Sequence, residues 1–364
     1  MAGFRALSTV DVIRVAIKSY LQPSSQDSPD LSQLDQICWS SSVSFSEEDI
    51  KDVELVHLLL VSAENIGSQQ YDRASKLLDK CDHFSSTTGN SVQRMIHHFS
   101  KALRERLNRE TGRIISKEVK GEEIMKLILN PQEQMGSSNH AFIACYKQVP
   151  FYQATLFAGI QAIIENVAAA KRIHIIDLAI RTGTHWMVLM QALSTRQECP
   201  LELLKITMVG VTSNQKLEET GKRLVYFAET LNLPFSFKIG MLADLQDLKE
   251  DIFEINEGEV IAVYSPALLS YIATQRDRLE TLITVLTNIN PCVMVVTEVE
   301  ANHHLQTFEE RFFEALFHYS AAFDCLEVCM PRCDTNRTIF EEICTGLDWW
   351  KLSSAHHPCF KQNW

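Results

Sequence analysis

The chain has 364 residues, 46% of them hydrophobic, enough to bury one large or two modest cores. Its formal net charge of −12 sets a field that repels polyanions, so contact with nucleic acid or an anionic membrane needs a local basic patch or a basic partner. No apolar run approaches the roughly 20 residues that span a bilayer, and Asp11, Arg14 and Lys18 interrupt the start as no secretory leader does; the chain is expected to be intracellular, its ten cysteines mostly buried and reduced, with no structural disulfide.

Residues 1–45 hold one weak helical pattern (Val10, Ile13, Val15, Ile17, Leu21), then a Ser-, Gln-, Asp- and Pro-rich stretch whose composition predicts a flexible linker. Ser44 and Glu47 have the spacing of a capping box, and the helix it would open runs through Ile50, Val53, Leu55, Leu58, Leu59 and Ile66 to Gly67. Two more helices are predicted, over Tyr71–Cys81 and Ser91–Leu107. The second carries Arg94, Lys101, Arg104, Arg106 and Arg109 on its other faces, but the interleaved Glu105 and Glu110 favour a solvated surface over a nucleic-acid contact. Helical patterns recur at Glu122–Leu129 and Ala141–Tyr146, and Phe151–Ala170 is a long, nearly all-apolar helix.

From Ile173 the period alternates. Strands are predicted at Ile173–Asp177, Lys205–Val211, Phe235–Ile239, Val260–Tyr264 and Cys292–Thr297. Between them lie helical patterns at Met187–Leu193, Asn214–Leu231, Leu242–Leu248 and Leu268–Asn288. Such alternation implies an α/β, Rossmann-like fold with a mainly parallel sheet, preceded by a helical cap. A last strong helix is expected over Leu305–Tyr319, after which periodicity is lost. The expected domains are a weak helix and linker (1–45), a helical cap (46–150), the α/β core (151–345) and an irregular tail (346–364).

Asp177 closes the first strand and Gly183 lies in the turn after it, where open parallel sheets place ligands. One glycine among Ile180, Arg181 and Trp186 makes a poor phosphate cradle, so Asp177 and Gly183 are only weak cofactor candidates. Asp177 is expected instead to accept from turn amides and cap the next helix. His174, inside an apolar strand, reads as a satisfied core histidine. Glu300, Asn302 and His303 follow the fifth strand without a nucleophile motif and read as a polar network that fixes a loop. Cys325, Cys329 and Cys333, with His318 nearby, lack the close-pair spacing of zinc sites, so no metal is expected. Leu55, Leu58 and Leu59 fit a Leu-x-x-Leu-Leu recruitment pattern, a spacing that any core-facing helix also shows.

Taken in order, several segments resemble the GRAS family of plant transcriptional regulators. They are Val56-His-Leu-Leu-Leu-Val-Ser-Ala-Glu64; Ile173-His174-Ile175-Ile176-Asp177, similar to the family's VHIID core; Leu233-Pro-Phe-Ser-Phe237; and Glu300-Ala-Asn-His303 followed by Arg311 to Glu327. The resemblance implies a helical cap on a Rossmann-like core similar to that of S-adenosylmethionine-dependent methyltransferases. It further implies nuclear residence, no enzymatic activity, no cofactor, and regulation through DNA-binding transcription factors and other GRAS-like proteins. DNA contact would be indirect, membranes would play no part, and a homo- or heterodimer is allowed. Leucine-rich helices flanking the central motif would be the interaction surfaces. On this chain they fall within 50–107 and 214–231, which makes Leu55, Leu58, Leu59, Leu217, Leu224 and Leu231 the partner-binding candidates. Two departures stand out. The family's Ser-Ala-Trp ending is missing, so the chain is expected to be C-terminally truncated with its last sheet elements incomplete, and nothing resembles the acidic hormone-sensing segment of the DELLA subgroup. The alternative reading is a small-molecule-binding or methyltransferase-like Rossmann protein.

Overall fold

A computed structural model describes residues 7–21, 46–113, 139–178, 183–210, 215–266, 268–273, 275–298, 301–302, 305–342 and 345. The predicted helix at Glu122–Leu129 and the tail 346–364 lie outside them. In chain order the first helices are α1 (Thr9–Tyr20), α2 (Glu47–Gly67), α3 (Tyr71–Phe84), α4 (Ser91–Glu110), α5 (Asn139–Gln148) and α6 (Pro150–Asn166). Then come β1 (Arg172–Asp177), α7 (Thr184–Ser194), β2 (Leu203–Gly210), α8 (Gln215–Thr230) and β3 (Phe235–Met241). β4 (Val260–Pro266), α9 (Leu269–Ile272), α10 (Arg276–Ile289), β5 (Val293–Thr297) and α11 (Phe308–Cys329) complete the order.

The chain divides into two compact units, and the division does not follow chain order. One unit draws on residues 1–117, 141–149 and 301–364, the other on 118–140 and 150–300. Residues 301–345, expected in the α/β core, therefore belong with the helices. The N-terminal segment is also more than a weak helix. Ser8 caps α1 by accepting from the Asp11 amide, and Val12, Ile13, Val15 and Ala16 are buried in the helical core. Its end is tied across the chain, because the amide and hydroxyl of Thr9 both donate to the Asp324 carboxylate on α11.

The start of α2 lies two residues beyond the predicted box. Ser46 accepts from the Asp49 amide while Asp49 accepts from the Ser46 amide, so an aspartate fills the role expected of Glu47. At the other end of the chain, α11 continues ten residues past the predicted stop at Tyr319. The buried series Phe312, Leu316, Tyr319, Phe323 and Leu326 carries the apolar stripe through, and it packs with Val56, Leu59, Phe99 and Leu103. Residues 335–342 are helical too.

A buried charge lattice joins α4, α11 and that last helical stretch. Arg94 donates to Glu341, Glu327 and the Gly89 carbonyl, and Arg337 donates to the same two carboxylates and the Met330 carbonyl. Arg94, Arg337 and Glu341 are each 1% exposed, so their charges are compensated by one another and not by water. The solvated basic face expected of α4 is thus largely absent. Arg106 is also buried, paired with Glu110 and stacked on Phe308 at 3.7 Å, and Arg104 is held by Asp79 and Asp82.

In the α/β unit, five parallel strands among the described residues lie in the order β3-β2-β1-β4-β5. The β-branched runs form strands where predicted, to within two residues. Strand alternation sorts the faces: Ile173 and Ile175 of β1, with Leu204, Ile206 and Met208 of β2, meet α6, α7 and α8 over one core. His174 and Ile176 turn to the opposite face. The single predicted helix at Leu268–Asn288 is interrupted, since Gln275 leaves helical geometry before α10 begins.

Candidate functional site

Open parallel sheets bind ligands at the strand ends where the strand order reverses, which here is the carboxyl end of β1 between β2 and β4. Asp177 ends β1 and stands level with Tyr264 of β4. Its carboxylate is fully buried and accepts from the Trp186 indole N–H at 2.8 Å, with His185 Nε2 at 3.6 Å from the same oxygen. The rings of His185, Trp186 and Tyr264 pack on one another with centroids 4.4 to 5.3 Å apart. Trp186 is 0% exposed. Among the described residues, the first turn of α7 and Tyr264 of β4 thus place three rings beside Asp177 at the end of β1. The N-cap position of that helix is Gly183, which has no side chain to cap with, and the Asp177 carboxylate accepts from the indole within the helix's first turn.

Gly183 has φ +68°, a conformation that glycine adopts freely. A Cβ there would lie 2.8 Å from Thr220 Cγ2 and 3.6 Å from Leu224 Cδ1, so the glycine allows α8 to approach and does not border an empty cradle. Nor does β2 end on a carboxylate that could hold a ribose, for Met208, Val209 and Gly210 run into Val211 and Thr212. The described residues at the switch point do not fit a nucleotide or S-adenosylmethionine.

On the other face of the sheet lies a buried polar chain. His174 Nε2 is 2.8 Å from Thr207 Oγ1, and its Nδ1 is 3.0 Å from Glu259 Oε2. Lys205 Nζ sits 3.8 Å from the same glutamate and donates to the carbonyls of Phe253 and Glu254. Hydroxyl, imidazole and carboxylate in a row resemble a nucleophile relay, but His174 and Thr207 are both 0% exposed, so no substrate reaches the hydroxyl. Burial, with Lys205 beside it, pushes the His174 imidazole down to about 4, which keeps it neutral at pH 7. Burial raises Glu259, yet hydrogen bonds from Asn256 and the neighbouring His174 and Lys205 hold it below the usual carboxylate range. The histidine of the central motif is thus a cross-strand tie.

The leucine candidates point inward. Leu55 and Leu59 are buried in the helical core and Leu58 packs against it, so the recruitment reading of that pattern is withdrawn. Leu217 and Leu224 are buried against the sheet and Leu231 is packed there, which removes them as direct contacts. Of the loop cluster, Glu300 and His303 lie outside the described residues, and the Asn302 amide is 3.4 Å from Glu314 Oε2. Cys325 and Cys329 share a face of α11 with sulfurs 3.9 Å apart. Among the described residues no group of three or more His, Cys, Asp or Glu side chains gathers as a metal would need. Of the seven described cysteines, all free, only Cys81 and Cys145 are buried, fewer than expected.

What the sequence reading missed is the outer side of α8. There a groove of about 700 Å³ runs between α8 and β3, which is an edge of the sheet among the described residues. Its floor is Phe237, seated where a side chain at position 221 would be, since a Cβ on Gly221 would come within 2.2 Å of the ring. Val225 and Tyr226 stand over it, 39% and 70% exposed. A lone glycine inside an amphipathic helix was the available signal.

Together these features define a Rossmann-like α/β protein in which, among the described residues, Trp186, His185 and Tyr264 pack beside Asp177 at the strand-order reversal. A profile of the GRAS domain family matches residues 55–352, and the chain belongs to that family. Among curated relatives it is 29% identical over 280 residues to DELLA protein 1 of Medicago truncatula, covering 76% of this chain and 44% of that one. It is also 29% identical over 308 residues to Protein NODULATION SIGNALING PATHWAY 2 of the same plant, covering 82% and 61%. The chain spans about half the length of the DELLA relatives it matches. The crystal structure of SCL7 from Oryza sativa shares the fold, with a TM-score of 0.64 at 23% identity over 83% of this chain and 78% of that one.

Proposed function

We propose that this protein is a nuclear regulator of transcription that works by contact with DNA-binding transcription factors and not by catalysis. The observation that carries this reading is family membership joined to a switch-point crevice plugged by Trp186, His185 and Tyr264. The charge of −12 supports it further, since an acidic protein reaches DNA through a basic partner. A scaffold of this kind needs rigid elements, exposed side chains and no chemistry, and the outer face of α8 supplies such a surface.

Affinity capture of the full chain from cross-linked plant nuclei tests the reading. DNA-binding transcription factors should be recovered with it, and their absence in a preparation where the chain is folded and abundant overturns the proposal. Titration with S-adenosylmethionine should give no saturable heat. Saturable binding would instead favour the methyltransferase-like alternative.

A further inference from the structure

Resting on that reading, we infer that the groove between α8 and β3 is a docking site for an extended, basic peptide segment of a partner protein, which would lie along the free edge of β3. Three features converge on this occupant. The first is the edge itself: β3 is bonded to β2 on one side alone among the described residues, and an edge strand presents peptide groups ready for another strand. Lysine on an edge normally discourages such pairing, but here Lys238 is drawn into an ion pair with Glu254, which leaves the edge without a free cation.

The second is the apolar floor. The Phe237 ring, which the bare Gly221 lets close onto α8, forms with Val225 and Tyr226 a seat for one side chain of a passing strand. The third is charge. Glu218 and Glu229 lie along α8 on the groove's rim with no ion pair among the described residues, and the only opposing free charge on the rim is Lys222. Two glutamates against one lysine leave a net negative rim on a chain of charge −12, which selects a basic occupant and disfavours an acidic one.

The probe is a labelled peptide of alternating lysine and valine, matching the seven residues of β3, titrated into the full chain and followed by fluorescence polarisation. Saturable binding is expected, weakened about tenfold by Glu218→Lys with Glu229→Lys and by a similar factor in Tyr226→Ala, whose exposed ring contributes little to folding. Asp277→Lys with Glu280→Lys, an exposed pair on α10, should leave binding unchanged. The proposal is overturned if the lysine–valine peptide does not bind, if the α10 pair weakens it equally, or if a glutamate–valine peptide binds as well. It is likewise overturned if N-methylation of alternate peptide groups, which removes ladder donors without changing charge, has no effect. Nuclear capture with the Glu218→Lys, Glu229→Lys variant separates the two claims: transcription factors recovered as with the natural chain would sink the groove and spare the regulator.

Discussion

Two places in the α/β unit where a ligand would be sought are built in opposite ways. At the switch point above β1, where the fold provides a crevice, Asp177 is spent on the Trp186 indole and the rings of His185, Trp186 and Tyr264 occupy the space. At the sheet edge, where the fold provides nothing by default, Phe237 closes onto Gly221 as an apolar floor, Tyr226 is exposed, and Glu218 and Glu229 have no ion pair among the described residues. The open parallel sheet has its strand-order reversal at β1, and there the Asp177 carboxylate is bonded within the protein. The proposed recognition surface lies on the outside of the same helix whose inside holds the sheet.

The largest effect should come from breaking the closed side. Trp186→Ala removes a fully buried indole and one hydrogen bond to Asp177, and should cost about 3–5 kcal/mol of stability, read as a fall in the urea midpoint. Indole added to that variant should restore part of the loss by filling the cavity; no recovery would mean that the crevice collapses instead of opening. Next comes the cross-strand tie. His174 is held neutral with its pKa near 4, below the unfolded value, so the unfolded chain binds the extra proton as pH falls. Stability from this group is present above about pH 6.5 and drains away as pH falls towards 4, by on the order of 2–3 kcal/mol. His174→Gln should flatten that limb in denaturation curves taken across the window, and an unchanged slope would place the acid sensitivity elsewhere.

Gly183→Ala should be milder, about 1–2 kcal/mol, from an unfavourable positive φ and the contact with Thr220 Cγ2. Adding Thr220→Ala should recover the steric part alone. Smallest of all, Tyr226→Ala should change stability by no more than about 0.5 kcal/mol, because its ring is 70% exposed. A larger loss would show that Tyr226 supports the fold and would blur the contrast between the closed crevice and the open groove.

Much of the architecture was legible because it rests on local pattern. Ile173–Asp177 and Val260–Tyr264 are β-branched runs whose burial forces them into a parallel sheet, and the observed strands begin within two residues of those limits. What was illegible depends on partners far away in sequence. Arg94 looks solvated on a helical wheel, yet its acceptors Glu327 and Glu341 lie 233 and 247 residues away. The continuation of α11 was hidden differently: Cys325 and Cys329 drew attention as possible ligands while Phe323 and Leu326 quietly kept the apolar period. At the candidate site the weakness of a single-glycine turn was readable in advance, but the ring cluster was not, since it requires Trp186 of α7 to meet Tyr264 of β4, 78 residues further along the chain. The leucines of α8 showed a periodicity that reports burial against the sheet, and periodicity cannot say what the opposite face does.

The tie between Thr9 and Asp324 has a consequence for the growing polypeptide. Its partners are 315 residues apart, and α11 supplies Phe312, Leu316 and Phe323 to a core whose other walls are α1 to α4. During synthesis those first helices leave the ribosome long before α11 exists, so their apolar faces, Val56 and Leu59 among them, stay uncovered while the whole parallel sheet is made. The core of α1 to α4 is therefore completed only when α11 has been made, and until then its uncovered apolar faces are exposed to aggregation.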